Sequence, residues 1–386
     1  MNKKVVIISW LLCFFLFQAE SIFSQEYTSG QSKLQCYTEL NPYETIVVHP
    51  VKGQKAKNVI LMIGDGMGLN QVSAAWIANR GRLNIDNFKH IGLMRTYAAN
   101  KLITDSGAAG TAMATGKKTN YHSVGVDTSG KELPSLTDVA KDQGLSTAVV
   151  VTCGVTDATP ATFCANNADR NMEEELAADF LNCGVDFIFG GGRKQFVNRA
   201  DGRNLLNELS AIGYKTPISL EQLDTISSGR VVALIEDGQL PLYPERGQLY
   251  QVAVMKSLDM MSQNKKGFFA MFEGSRIDDC GHWHDIPKLV QEVFDFDQSI
   301  GKVLQWAEND GETLVIVLAD HETGGFTILD GRIADGAVCG DFSTGGHSGI
   351  LVPVYAYGPQ AEEFTGIFEN SALFSKISAI LKNPEK

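Results

Sequence analysis

The sequence has 386 residues, of which 44% are hydrophobic and 20% charged, and its formal net charge is −12 at pH 7. This composition is typical of a soluble globular protein of one large domain or two ordinary ones. The acidic balance argues against nucleic-acid binding as a dedicated function, because phosphate backbones attract basic surfaces. An anionic substrate would need a local positive site, which bound metal ions can provide.

The N-terminus has the pattern of a secretory signal peptide. Two lysines precede an apolar run over residues 5–17, which is short for a bilayer span, and Ala19 and Ser21 resemble a cleavage site. We therefore predict a signal peptide over residues 1–21, with the cut uncertain by a few residues, and an uncleaved anchor as the alternative. The mature chain is expected to be exported to the periplasm or outside the cell, without a membrane span.

Cysteine usage fits an exported chain, because disulfides persist in oxidising compartments. Removal of the signal peptide leaves six cysteines, which allow 15 complete pairings, and the sequence does not choose among them. No two of them form a CxxC pair, which argues against a cysteine zinc site. The six are Cys36, Cys153, Cys164, Cys183, Cys280 and Cys339.

Residues 22–55 are predicted to be a polar lead-in, and residues 56–386 a single domain. Short apolar runs alternate there with longer amphipathic ones, which is typical of α/β proteins. We expect a three-layer α/β/α fold with a mostly parallel central sheet, and a surface insertion around residues 193–250. Buried strands are predicted at Val59–Ile63, Thr147–Val151, Phe187–Phe189, Phe268–Phe272, Thr313–Leu318 and Leu351–Tyr357.

Two helices have recognisable starts. Residues 173–181 follow Asn171, a cap residue, and residues 286–308 follow Asp285, with Pro287 at a helix-start position.

Acidic residues follow four of the predicted strands. In open α/β sheets ligands bind beyond the carboxyl ends of the strands, so these acids should meet at one edge. Clustered carboxylates are costly to bury without cations. Mixed histidine and aspartate ligands suit zinc, and all-oxygen ligands suit magnesium. The candidates are Asp65, Asp157, Thr159, Glu273, Asp278, Asp320 and His321, with imidazoles also at His282 and His347.

A nucleophile candidate lies at a predicted helix start. The run TDSGAAGTA places Ser106 in the first turn, where the helix dipole and free backbone N–H groups favour an anion. Each candidate has an ordinary structural alternative when taken singly. Asp65 could be a turn residue, Ser106 a helix cap, Asp278 and His282 a surface pair, and Arg170 part of a solvated salt bridge.

Taken together, the motifs resemble those of the alkaline phosphatase family. GDGMG, TDSGAAGTA, DATPA followed by Arg170, EGSRID-x3-H, ADHETGG and GGHSG occur in this order between residue 58 and about residue 360. The resemblance implies a metal-dependent phosphomonoester hydrolase that releases inorganic phosphate and an alcohol through a covalent phosphoserine. It also implies broad specificity for small phosphate monoesters, an alkaline pH optimum and a homodimer.

The family's metal site holds two zinc ions and one magnesium ion per subunit, and the motifs carry its ligands over to this sequence. Asp65 is expected to bridge to the magnesium ion, together with Thr159 and Glu273, while Asp157 holds the water shell of this ion. The expected ligands of the first zinc are Asp278, His282 and His347, and those of the second are Asp65, Asp320 and His321.

The resemblance also implies how phosphate is held. Ser106 is the expected nucleophile, and Arg170 the arginine whose planar fork binds two phosphate oxygens. Asp105, like Asp157, is expected to support the site without ligating a metal. Asp279 departs from the family, which often has Lys, His or Trp there. We hypothesise that its negative charge weakens phosphate binding and speeds product release.

The segment between His321 and His347 is short, which predicts a reduced form of the crown that extends the dimer interface in larger family members. A phosphodiesterase or sulfatase of the same metal-hydrolase superfamily is one alternative. A non-catalytic protein that binds phosphate or metal on the same fold is another. Ser106, Thr159, Glu273 and Arg170 together favour the monoesterase.

Overall fold

The computed structural model describes residues 34–38, 41–51 and 55–382, so the predicted signal peptide lies outside the described residues. Two units are distinguished along the chain, Met1–Leu34 and Gln35–Lys386, and the elements below belong to the second. Over the described ranges, none of the helices is both long enough and apolar enough to cross a bilayer.

Ten strands of the described residues form the central sheet. Across the sheet the order is β15 (Gly366–Glu369), β3 (His90–Arg95), β14 (Val352–Tyr357), β9 (Thr313–Leu318), β2 (Asn58–Gly64), β8 (Phe268–Gly274), β4 (Ser146–Gly154), β5 (Phe187–Gly191), β7 (Arg230–Leu234) and β6 (Tyr214–Lys215). The strands from β9 across to β6 all run parallel, and β14 is antiparallel to both of its neighbours.

The middle strands are buried on both faces, which explains their unbroken apolar sequences. Every residue of β2 (NVILMIG), β8 (FFAMFEG) and β9 (TLVIVL) is buried. All six strands predicted from apolar runs are confirmed, with ends that differ from the predictions by at most a few residues.

Helices cover both faces of this sheet. The helices are α1 (Leu69–Ala78), α2 (Ser106–Thr115), α3 (Leu136–Asp142), α4 (Ala158–Ala161), α5 (Glu173–Cys183), α6 (Lys194–Val197), α7 (Leu205–Ala211), α8 (Leu220–Asp224), α9 (Leu249–Met261), α10 (Arg276–His282), α11 (Ile286–Asp310) and α12 (Ala372–Leu381). In one group, α11 contacts both α1 and α9, and α9 and α11 contact the strands. In a second group, α12 contacts both α2 and α3, and α3 and α12 contact the strands. The predicted three-layer architecture is thus confirmed.

The two predicted helix starts have different outcomes. The α11 start is confirmed, because the Asp285 side chain accepts a hydrogen bond from the Lys288 backbone N–H. The Asn171 cap is wrong. Met172 occupies the cap position of α5 without a side-chain hydrogen bond, and the Asn171 amide instead donates to Asp169 at 2.9 Å.

Two small sheets lie beside the central one. In the first, β1 (Gln35–Tyr37), β12 (Ala337–Phe342) and β11 (Phe326–Arg332) are antiparallel, and a Cys36–Cys339 disulfide joins β1 to β12. In the second, β10 (Glu322–Thr323) pairs with β13 (His347–Ser348). These sheets fill the stretch between His321 and His347, where we predicted a reduced crown.

Residues 193–250, predicted as a surface insertion, also contribute to the central sheet. Their strands β7 and β6 continue it in parallel beyond β5, and their helices α6 and α7 pack against α5. The region is irregular in sequence because short helices and an edge strand of two residues alternate there.

Candidate metal centre

The register of the central strands brings the predicted acids together. Ile63 of β2 lies opposite Glu273 of β8 on one side and Leu318 of β9 on the other. Asp65 and Asp320 each follow just after these strands end, so the parallel alignment places them side by side with Glu273. The sheet edge therefore concentrates negative charge in its buried middle.

Helix α2 brings Ser106 to this edge. The Asp105 carboxylate caps the helix by accepting hydrogen bonds from the backbone N–H groups of Gly107 and Ala108 at 3.3 and 3.2 Å. Ser106 is the first helical residue and is buried, and its Oγ lies 3.2 Å from His321 Nε2. The hydroxyl thus stands at the positive end of the helix dipole, directly against a predicted zinc ligand.

One group of donors combines Asp278, His282 and His347. His282 Nε2 lies 3.2 Å from Asp278 Oδ2 and 3.2 Å from His347 Nε2, and His347 Nε2 lies 3.6 Å from Asp278 Oδ1. Asp278 and His282 come from one face of α10, while His347 arrives on β13. These are the predicted ligands of the first zinc.

A second group combines Asp65, Asp320 and His321. His321 Nε2 lies 3.4 Å from Asp65 Oδ1 and 3.2 Å from Asp320 Oδ2. Both of these carboxylate oxygens are buried and have no hydrogen-bond partner among the described residues. Buried carboxylate oxygens without partners are costly, and a bound cation would satisfy them. These are the predicted ligands of the second zinc.

The histidines are oriented by hydrogen bonds on their far nitrogens. His282 Nδ1 lies 2.8 Å from the Gly345 carbonyl, and His347 Nδ1 lies 2.8 Å from the Thr104 carbonyl. A carbonyl can only accept, so each Nδ1 donates and each Nε2 keeps its lone pair for the site. Metal-binding histidines are commonly fixed in this way.

The predicted third-metal ligands lie on the other side of Asp65. The Thr159 hydroxyl donates to Asp65 Oδ2 at 3.4 Å, and Glu273 is buried at the end of β8. Thr159 is held there by the short helix α4, which Asp157 caps through the Ala158 N–H at 2.7 Å. This group offers only oxygen donors, as magnesium prefers.

Arg170 bridges two acids at the rim of the centre. It donates to Asp105 Oδ2 at 3.0 Å and to Asp157 Oδ1 at 2.9 Å. Burial alone would lower the pKa of the guanidinium, but the charges of Asp157 and Asp105 raise it, so the group stays cationic. Its fork is therefore fixed between the nucleophile helix and α4.

The acids of the centre show how strongly this edge needs positive charge. Burial, with the neighbouring carboxylates, raises the pKa of Asp65, of Glu273 to about 8 and of Asp320 to about 7. Burial would also raise the pKa of Asp278, but hydrogen bonding from His282 and the nearby imidazoles lower it below its usual range. The donor set and the unpartnered oxygens both fit bound divalent cations.

Three residues around the centre were not predicted. The Thr323 hydroxyl contacts both the Asp278 carboxylate and His321 Nδ1, so it links the two groups of predicted zinc ligands. Gln239 binds the Gly154 N–H at 2.7 Å and donates to Asp157 at 3.3 Å. Thr323 could have been noticed as the hydroxyl in ADHETGG, whereas the loop around Gln239 carries no signal.

Arg276 is the third. Its guanidinium pairs with the carboxylate of Asp279 and binds the Leu240 carbonyl. Asp279 is therefore paired with an arginine, whereas Asp65 and Asp320 each keep one buried oxygen without a hydrogen-bond partner. The structure brings all the predicted site residues to this edge, and their individual roles stay predictions.

Comparisons with known proteins agree with this geometry. A family model described as alkaline phosphatase matches residues 56–339. Alkaline phosphatase 4 of Bacillus subtilis is 32% identical, over 84% of this chain and 89% of its own. The structure of alkaline phosphatase from the Antarctic bacterium TAB5 is 38% identical with a TM-score of 0.82, covering 85% of this chain and 98% of that chain. A mutant of the TAB5 enzyme, with the same identity and TM-score, has Mg bound in its M3 site.

Proposed function

Because the chain belongs to the alkaline phosphatase family, and is therefore a phosphomonoester hydrolase, we propose that it acts through a covalent phosphoserine on Ser106. One observation carries this proposal. Ser106 Oγ stands at the N-terminus of a buried helix, 3.2 Å from His321 Nε2 and next to two groups of side chains that could hold a metal ion. The family matches also favour a monoesterase over the diesterase, sulfatase and non-catalytic alternatives.

We propose that zinc binds the two histidine-containing groups and magnesium the all-oxygen group. The first zinc would be held by Asp278, His282 and His347, and the magnesium by Asp65, Thr159 and Glu273. Such ions supply Lewis-acid stabilisation of phosphoryl charge and lower the pKa of a bound hydroxyl. The remaining zinc ligands would be Asp65, Asp320 and His321.

The chain's own residues supply the nucleophile and position the phosphoryl group. Ser106 Oγ gives up its proton and forms a bond to phosphorus as the bond from phosphorus to the alcohol oxygen breaks. Arg170 binds two phosphoryl oxygens through its fork, which Asp105 and Asp157 hold in place. A water molecule then attacks the phosphoserine, so that inorganic phosphate leaves and the hydroxyl is regenerated.

Ser106→Ala tests this proposal. We expect activity on a chromogenic phosphate monoester to fall on the order of 10³-fold or more, because no covalent intermediate can form. Acid quenching of the wild-type protein with labelled substrate should trap a phosphoprotein that the variant lacks.

Ser257→Ala is the matched control, since Ser257 is also buried in a helix, where its Oγ donates to the Val254 carbonyl at 2.7 Å. It should retain both activity and phosphoprotein. Full activity in Ser106→Ala would overturn the assignment of the nucleophile.

We also propose that the mature chain is exported and forms a homodimer. The N-terminal sequence pattern supports export, and the family resemblance supports the dimer. Cell fractionation with N-terminal sequencing of the mature protein tests the first. Sedimentation of the metal-loaded protein tests the second, and a monomer at all concentrations would contradict it.

A further inference from the structure

Two cysteines outside the metal centre lie against each other. Cys164 follows the short helix α4, and Cys183 is the last residue of α5. Both are buried and line the same cavity, their side chains interact, and the Cys183 thiol donates to the Phe180 carbonyl at 3.5 Å. Cys183, at the end of α5, is thus brought back to Cys164, just after α4.

The other described cysteines do not share this arrangement. Cys36 and Cys339 already form the disulfide between β1 and β12. Cys153 lies against Glu273, with its Sγ 3.6 Å from the carboxylate, and Cys280 is buried in α10. Among the described residues, Cys164 and Cys183 are therefore the two free cysteines whose side chains interact with each other.

A cavity gives reagents access to this pair. Its volume is about 280 Å³, and both cysteines line it together with the exposed residues Glu132 and Asn182. Lys141 lies close by and donates to the Cys183 carbonyl. The hydrogen bond from Cys164 and the charge of Lys141 lower the pKa of Cys183, while burial raises that of Cys164, so Cys183 is the better attacking thiolate.

We propose that Cys164 and Cys183 form a second disulfide, which closes the segment 165–182 into a loop. The oxidant is a disulfide-exchange reagent, such as oxidised glutathione or an oxidised dithiol protein. The Cys183 thiolate attacks one sulfur of the reagent and releases a thiol, and the Cys164 sulfur then displaces the second. Two cysteine thiols are oxidised, the reagent disulfide is reduced to two thiols, and both protons pass to them.

The loop closed by this bond carries Arg170. The Arg170 backbone N–H is fixed by the His122 carbonyl at 2.8 Å, and Asn166 N–H binds Asp179 at 2.9 Å. A disulfide behind these contacts would restrict the backbone from which the guanidinium reaches Asp105 and Asp157. Any effect of the disulfide on phosphate binding rests on the proposed role of Arg170. The proposal that the disulfide forms does not depend on that role.

Peptide mapping tests the bond directly. The mature protein, purified and then held with oxidised glutathione, is denatured, alkylated without reductant and digested. We expect a peptide pair linked through Cys164 and Cys183, with alkylation confined to Cys153 and Cys280. Alkylation of both Cys164 and Cys183 under these conditions would overturn the proposal.

A second experiment measures how the disulfide affects stability and inhibition by inorganic phosphate. In a Cys36→Ser/Cys339→Ser background, dithiothreitol should lower the melting temperature by several degrees and weaken inhibition by inorganic phosphate a few-fold. Adding Cys164→Ala and Cys183→Ala should abolish both responses, whereas adding Cys280→Ala should leave them. A linked peptide with unchanged phosphate inhibition would refute only the link to Arg170, and an unchanged melting temperature would refute a stabilising disulfide.

Discussion

Two clusters of buried acids, one on α11 and one at the edge of the central sheet, differ in where their balancing positive charge comes from. On α11, Glu292 and Asp295 are almost fully buried, and Arg246 Nη2 lies 2.7 Å from an oxygen of each. At the sheet edge, Asp65 and Asp320 are buried too, yet each has an oxygen without a hydrogen-bond partner. The chain supplies its own cation to the first cluster and not to the second.

The difference shows that burial of an acid does not by itself mark a functional site. Burial raises the pKa of Glu292, although Arg246 opposes the shift. It also raises the pKa of Asp320, where the next contribution is the further charge of Asp278. What separates the two clusters is the source of the counter-charge, so the arginine cluster should be structural and the sheet-edge cluster should require external cations.

Removal of metal should give the largest effect. Dialysis of the protein against a chelator should lower monoesterase activity on the order of 10³-fold, since metal ions supply several kcal/mol of transition-state stabilisation. Zinc and magnesium added together should restore it. Metal analysis before and after dialysis checks that the loss follows the ions.

The arginine cluster provides the internal control for this experiment. Arg246→Lys protein should lose and regain activity with metal in the same proportion as the wild type. If protein shown to be free of metal kept full activity, the sheet-edge cluster would not need external cations, and the proposed difference between the two clusters would be wrong.

Arg246→Met should have the second-largest effect, and it should lower the stability of the protein rather than its catalytic activity. It leaves Glu292 and Asp295 buried without a counter-charge, and breaking such a cluster typically costs about 3–5 kcal/mol of the free energy of unfolding. Urea unfolding of the metal-loaded protein measures this loss. Arg203→Met, which breaks the exposed pair with Glu208, is the control and should leave the midpoint unchanged.

These two clusters also show what the sequence could predict. Asp65, Glu273 and Asp320 were predicted because each ends an apolar strand, and parallel strands end at one edge. The role of Arg246 could not be predicted, because it lies in an irregular stretch and contacts α11 only through tertiary packing. The Cys36–Cys339 disulfide was one of 15 possible pairings, and it depends on the register of β1 against β12.

The fold followed from the sequence where the period of apolar residues was clear. The buried strands and α11 agree closely with their predicted bounds, because burial on both faces or a strong cap leaves little choice. Residues 193–250 were harder, since strands of two to five residues carry too little pattern to be placed at the edge of a sheet. Gln239 was missed because it lies in a loop whose sequence carries no pattern.

The third prediction concerns the pH dependence of the free energy of unfolding, where we expect a smaller difference between the two clusters than in the experiments above. In the folded chain without metal, the pKa of Glu273 is raised from its ordinary 4.5 to about 8 and that of Asp320 from 3.8 to about 7. Folding therefore binds protons at these groups. Their contribution is fully present below the ordinary values and is lost as pH rises through about 7 to 8, on the order of a few kcal/mol.

Urea unfolding of chelated protein between pH 5 and pH 9 measures this loss. Glu273→Gln should flatten the dependence, because the amide does not titrate, and metal should flatten it in the wild type. Stability of the chelated wild type that does not fall over this range would contradict the raised pKa values.

The smallest effect is expected at Asp279, which combines features of both clusters. It adjoins the predicted metal ligand Asp278, yet Arg276 pairs with its carboxylate as Arg246 pairs with Glu292. Burial raises the pKa of Asp279 while Arg276 lowers it, so its charge is partly balanced. We therefore expect the negative charge to weaken phosphate binding only a few-fold.

Asp279→Asn removes the charge and keeps the shape, so the inhibition constant for inorganic phosphate should fall about two- to three-fold, which corresponds to less than about 1 kcal/mol. Asp279→Lys should strengthen inhibition further. Arg276→Gln is a control variant with the opposite expected result. It removes the positive charge that opposes the Asp279 carboxylate, so it should weaken inhibition by inorganic phosphate. If phosphate inhibition is unchanged or weaker in Asp279→Lys, the carboxylate does not act on phosphate. Asp279 would then be, like Glu292, a structural acid whose counter-charge comes from the chain.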